Sequence, residues 1–194
     1  MSHSRARWVA GLTAVVLAAV PATSVAQGGH EPGSHAQQTQ ALPAITPQEF
    51  VTAASQGNAF EIESSRLVRQ TTGNRDVRRI AAMLIRDHTT QQKQLATLAG
   101  QLGLQVPSST AVSATQKAAL DRIRSRKSGT PARDRTYLAA QVTAHDQAIV
   151  LHERAVLTAG TPAELRQATT LALPILGMHL GEVTLARTNA GFGG

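Results

Sequence analysis

The chain has 194 residues, no cysteine, 42% hydrophobic and 16% charged residues, and very few aromatic side chains (one Trp, one Tyr, three Phe). That suits one medium-sized domain with a single core, and the scarcity of aromatic residues disfavours an all-β sandwich. Without cysteine there is no disulfide framework, thiol nucleophile, thiolate zinc site or iron–sulfur cluster. The formal charge of +7 suits anionic partners without choosing among nucleic acid, acidic lipid and cell-wall polymer.

Arg5 and Arg7 precede an apolar run from Trp8 to Val20, followed by Pro21 and the small-residue stretch Ala22-Thr23-Ser24-Val25-Ala26. This order predicts a signal peptide over 1–26, cleaved after Ala26. The run is well short of the ~20 residues that span a bilayer, so the mature chain is expected to carry no membrane span. Export to the periplasm or the outer membrane follows. It also removes nucleic acid as a partner, since no aromatic platform for stacking bases is interleaved with the arginines.

Residues 27–45, rich in Gly, Gln and Pro, are expected to form a flexible leader. Had processing exposed Gly28, the run Gly28-Gly29-His30 would offer an amine, two amides and an imidazole in a square-planar set for Cu(II). Cleavage after Ala26 leaves His30 fourth in line and weakens that reading.

The helical domain is expected over 46–190. Thr46-Pro47-Gln48-Glu49 is a capping box with proline at the first helical position and opens a helix to about Arg69. Thr71-Thr72-Gly73-Asn74 breaks it, and Asn74 caps a second helix from Arg75 to about Leu102, ended by Gly103 and Pro107. A short helix follows Ser113 and ends near Lys127, before Ser128-Gly129. Thr130-Pro131 starts a long helix to Ala159, and Gly160 stops it. Thr161-Pro162-Ala163-Glu164 reads as a further capping box for a last helix to about Asn189. Four long helices joined by short turns at 70–74 and 160–161 predict an all-α four-helix bundle with a short extra helix in the central connection.

At 100° per residue, the first helix collects Phe50, Ala53, Ala54, Gly57, Phe60, Ser64, Leu67 and Val68 on one face, with Glu61 among them. In the second, Val77, Ile80, Ala81, Leu84, Gln91, Leu95, Leu98 and Leu102 flank His88, with Asp87 at the edge. The third long helix gathers Leu138, Gln141, Val142, Ala148, Ile149, Val156 and Ala159 around His145 and His152. The last gathers Leu165, Ala168, Ala172, Ile175, Leu176, Val183 and Ala186 around His179. All four helical histidines thus fall inside apolar stripes. His88, His145 and His179 lie near mid-helix, and Glu61 sits within a turn or two of that level, so the four can meet in the interior. His152, two turns from His145, is about 10 Å away along the axis and cannot share an ion with it.

The segments Phe50–Glu63, Met83-Leu84-Ile85-Arg86-Asp87-His88-Thr89, Tyr137 with His145-Asp146, and Leu173-Pro174 with His179 resemble an exported bacterial family, "domain of unknown function 4142". Its members are often labelled outer-membrane or secreted proteins and are grouped with ferritin-like bundles. The resemblance spans about residues 46–187. It implies a ferritin-like fold, with Glu61, His88, His145 and His179 at the family's recurring polar core positions, and no named activity. A di-iron centre of the ferritin type needs a Glu-x-x-His pair on each of two helices. Here Ile85, Val142 and Leu176 stand three residues before the histidines, which speaks against ferroxidase chemistry. Three imidazoles and one carboxylate instead suit a mononuclear site for zinc, copper or another divalent metal.

His152-Glu153 is followed by Val156 where a metalloprotease helix needs its second histidine, and no Gly-x-Ser-x-Gly, P-loop or dinucleotide loop is present. The expected function is therefore an exported envelope protein that holds a divalent metal in its core without evident catalysis. Its rivals are a structural or stress-related envelope protein with a hydrogen-bonded, metal-free core, and a mononuclear metalloenzyme with an open coordination position. Arg122, Arg124, Arg126, Lys127, Arg133 and Arg135 surround the Ser128-Gly129 turn, a basic end suited to an anionic envelope surface.

Overall fold

The computed structural model describes residues 42–190. The proposed signal peptide, nearly all of the leader and the Gly28-Gly29-His30 triplet lie outside the described residues. Among the described residues there are five helices and no strand: α1 (Pro47–Arg69), α2 (Arg75–Gln101), α3 (Ala114–Arg124), α4 (Pro131–Leu157) and α5 (Ala163–Asn189).

Local chemistry sets the helix starts. Thr46 and Glu49 form the reciprocal capping box that the sequence encodes, and Ser113 with Gln116 forms a second one for α3. The Asn74 side chain accepts from the Asp76 and Val77 amides, and Thr130 accepts from Arg133. The start of α5 departs from expectation. Pro162 is its N-cap, and no side chain caps it, so the Thr161–Glu164 box does not form. The Arg166 guanidinium instead gathers the carbonyls of Val156, Thr158 and Thr161, tying the end of α4 to the start of α5. α3 stops at Arg124, and α4 at Leu157, each about a turn or less before the expected end. Gly129 turns the chain with φ +72°, and a Cβ there would lie 3.0 Å from the Thr71 carbonyl oxygen, so only glycine lets this turn close on the α1–α2 corner.

α1 pairs along α2 and α4 along α5, giving two helical hairpins. α1 packs on α4 and α2 touches α5, which joins the hairpins, while α3 lies against α1 and α4. By length and composition α5 is long and apolar enough to cross a membrane. In the structure it packs along α4 and buries Leu165, Leu176, His179, Val183 and Ala186. Ile175, expected in the core, is 40% exposed.

The apolar interior is split in two. One cluster joins Val68, Val77, Ile80, Ala81, Leu84, Ile123, Tyr137, Leu138, Val183 and Ala186. The other joins Ile45, Phe50, Val51, Ala99, Ala155 and Leu165. Along the helices, a polar layer lies between them: Ser55, Asn58, Glu61, Ser64, His88, Gln141, His145 and His179 are all buried. Buried polar groups are costly unless they are paired or bind something, so this layer is where function is to be sought.

Candidate metal centre

His88 from α2, His145 from α4 and His179 from α5 converge, with one ligand nitrogen from each lying within 4.8 Å of the others. Their ring centroids form a nearly equilateral triangle with sides of 5.7, 5.4 and 5.5 Å. The centre of such a triangle is about 3.2 Å from each ring, a metal–nitrogen bond of about 2.0–2.1 Å followed by the ~1.1 Å from ring nitrogen to centroid. All three rings are buried.

Each ring has one nitrogen engaged away from its neighbours. His88 Nδ1 is 2.9 Å from Asn58 Oδ1, His145 Nδ1 is 2.9 Å from the Gln141 carbonyl, and His179 Nε2 is 3.1 Å from Asp87 Oδ2. A neutral imidazole has one donor and one acceptor nitrogen, so each engaged N–H leaves the other nitrogen with a lone pair. Those remaining atoms, His88 Nε2, His145 Nε2 and His179 Nδ1, are buried and have no hydrogen-bond partner among the protein atoms. Three acceptors and no donor cannot satisfy one another; a cation can satisfy all three.

Electrostatics agree with that protonation state. Burial lowers the pKa of His88 well below the usual histidine value, with repulsion from His145 and His179 adding to it. Burial also brings His145 down to about 4 and lowers His179, where the Asp87 contact opposes the shift. Asp87 is held below the usual carboxylate range, first by its hydrogen bond from Arg86, so it faces His179 as an anion.

Glu61 is placed differently from the three histidines. Its Oε1 lies 3.4 Å from His145 Nδ1, the nitrogen already turned to the Gln141 carbonyl. It therefore meets the cluster from behind His145. Burial raises its pKa well above the usual value, with the Gln141 side chain moderating the rise, while burial lowers that of His145. His152 stays apart from the triad, stacked edge-on against Phe50 with centroids 5.1 Å apart.

Asp87 and Asn58, which orient two of the three rings, were not legible as such. The helical phase of Asp87 places it at the stripe edge, and Asn58 lies beyond the apolar face of α1. Ala53, Ala54 and Gly57, expected in the packed core, are half-buried because they border a cavity of about 1020 Å³ that reaches inward to Glu61 and His88. At the basic end, Arg124 is ion-paired with Glu63 and Asp121, and Arg133 is buried, so that cluster presents fewer free charges than its sequence suggests.

No curated protein and no solved structure matches the chain. A family model, described as "Domain of unknown function (DUF4142)", matches residues 31–184. The match takes in α1 through α4 and the part of α5 that carries His179, and on that extent the chain belongs to the DUF4142 family.

Proposed function

We propose that this is an exported, ferritin-like four-helix bundle that binds one divalent transition metal through His88 Nε2, His145 Nε2 and His179 Nδ1. The observation that carries the reading is the set of three buried, unpartnered imidazole nitrogens whose opposite N–H groups are each held by an oxygen. Such outward hydrogen bonds fix the tautomer and raise ligand basicity. The donor set, imidazole without thiolate, suits zinc or copper. Glu61 behind His145 and Asp87 behind His179 supply two carboxyl groups to balance a 2+ ion. Three protein ligands leave a fourth position for water or another donor.

The hydrogen-bonded, metal-free core is less well supported, because the three inner nitrogens have no donor among them. Export rests on the N-terminal sequence, and the mature protein is expected to start near Gln27, which mass analysis of secreted material tests. The exposed Arg122, Arg126 and Lys127 give the mature protein a basic contact for anionic envelope material.

Equilibrium dialysis of untagged protein against zinc and copper tests the metal reading. One tightly bound ion per chain is expected, lost in His145→Ala and His179→Ala and kept in His152→Ala. Absence of bound metal in the parent, or unchanged stoichiometry in the first two variants, overturns it.

A further inference from the structure

The cavity beside the triad has features that the metal reading does not use. It is about 1020 Å³, at the upper end of the range for small-molecule sites. Its inner walls are apolar side chains from four helices, among them Phe60, Leu95, Leu151 and Leu176, and Ala53 and Gly57 keep the α1 wall low. Yet its inner end is polar. Glu61 and His88, each only 3% exposed, border it, and so does Gln91. Glu61 Oε2, His88 Nε2 and Gln91 Nε2 are all buried without a hydrogen-bond partner among the protein atoms.

From this we infer that the cavity binds an elongated, largely apolar molecule ending in an uncharged hydroxyl, an alcohol or a phenol, with the hydroxyl seated between Gln91 and Glu61. The Gln91 amide needs an acceptor and the inward-facing oxygen of Glu61 needs a donor; a hydroxyl is both. Of the arginines that border the cavity, Arg122 and Arg135 are exposed and Arg154 is half-buried, its guanidinium turned to the carbonyls of Pro43 and Ala44. An ammonium head only donates and leaves the Gln91 amide without an acceptor, and a carboxylate head only accepts and leaves Glu61 Oε2 without a donor, so a hydroxyl is the group that meets both. The site goes beyond the metal reading and holds in the metal-free protein, since the Gln91 and Glu61 atoms are not among the three proposed ligand nitrogens.

The test uses the full mature chain, Nile red as the reporter dye, and 1-decanol, decanoate and decylammonium as competitors at pH 7, with and without one equivalent of zinc. Decanol is expected to displace the dye about tenfold or more better than either ion, and Gln91→Leu to weaken decanol by about tenfold while dye binding persists. Gly57→Leu fills the cavity from a helical position where a Cβ meets nothing within 4 Å, and improves helix propensity. It is expected to lose decanol binding with helicity and zinc binding intact. His145→Ala is expected to do the reverse, losing zinc and keeping decanol, so failure of the metal reading and failure of this one give different patterns. Equal displacement by all three competitors, or undiminished decanol binding in both Gly57→Leu and Gln91→Leu, overturns the inference.

Discussion

The 3.1 Å contact between His179 Nε2 and Asp87 Oδ2 makes a carboxylate on α2 the orienting partner of an imidazole on α5. Asp87 is itself pinned by Arg86, whose Nε donates to Oδ1 at 2.7 Å. The chain Arg86–Asp87–His179 thus sets which nitrogen of His179 faces inward. Replacing Asp87 with Ala is expected to weaken zinc binding by about 10- to 100-fold, with Asp87→Asn recovering part of the loss because its amide oxygen still accepts from the ring. Isothermal titration of the two variants against the parent measures this; an Asp87→Ala protein with parental zinc affinity contradicts it.

The pH dependence of metal-free stability has two opposing parts. His88, His145, His152 and His179 all have folded pKa values below the ordinary 6.5, chiefly through burial, with His145 at about 4. Below pH 6.5 the unfolded chain takes up protons that the folded chain refuses, so stability falls as pH drops from 6.5 towards 4. Glu61 acts the other way. Its folded pKa lies well above 4.5, so its contribution is complete below that value and is lost as pH rises through the raised one. Thermal melting followed by circular dichroism is expected to show stability falling from pH 6.5 towards 4, where the four histidines act against Glu61 and Asp134, whose pKa burial also raises. Bound zinc is expected to be released over the same acid range, as protons compete for the ring nitrogens.

The divided interior gives a contrast between two leucines on one helix. Leu84 is fully buried in the closed cluster, whereas Leu95 is half-buried on the cavity wall. Leu84→Ala is expected to cost about 2–5 kcal/mol, as full burial and a new void both count. Leu95→Ala removes side chain already facing open space and is expected to cost less than half as much. Urea denaturation of the two variants decides it, and equal losses contradict the picture of an open cavity.

At the basic end, reversing Arg122, Arg126 and Lys127 to glutamate is expected to leave helicity unchanged and to weaken binding to phosphatidylglycerol vesicles, with the difference vanishing as salt rises. Arg124 is better left in place, since it bridges α3 to Glu63 on α1. Vesicle binding that is absent in the parent at low salt contradicts an envelope contact there.

Helix positions were readable from sequence because their starts are encoded in residues three apart: Thr46 with Glu49 and Ser113 with Gln116 behave as their spacing dictates. The exception is α5, where the same pattern at Thr161 forms no cap and the Arg166 side chain instead ties the end of α4 to the start of α5. The three histidines were readable for a similar reason, since a histidine inside an apolar stripe has few places to go but the interior. Their partners were not. Whether Asp87 at a stripe edge meets His179 depends on where α5 lies relative to α2, and whether Glu61 meets a ring from the front or behind depends on a rotation of α1 that periodicity leaves open. The cavity was hidden because Ala53, Ala54 and Gly57 satisfy an apolar pattern equally well whether or not anything fills the space in front of them.

His88 comes from the α1–α2 hairpin, and His145 and His179 from the α4–α5 hairpin. Neither half alone can offer more than two of the three nitrogens, so an ion held there acts as a rivet between two separately formed pieces. On the proposed metal reading, capture would report completed assembly: a chain whose hairpins have not yet docked would be blind to the ion, and one that has seized it would resist being pulled apart along the α2–α5 seam.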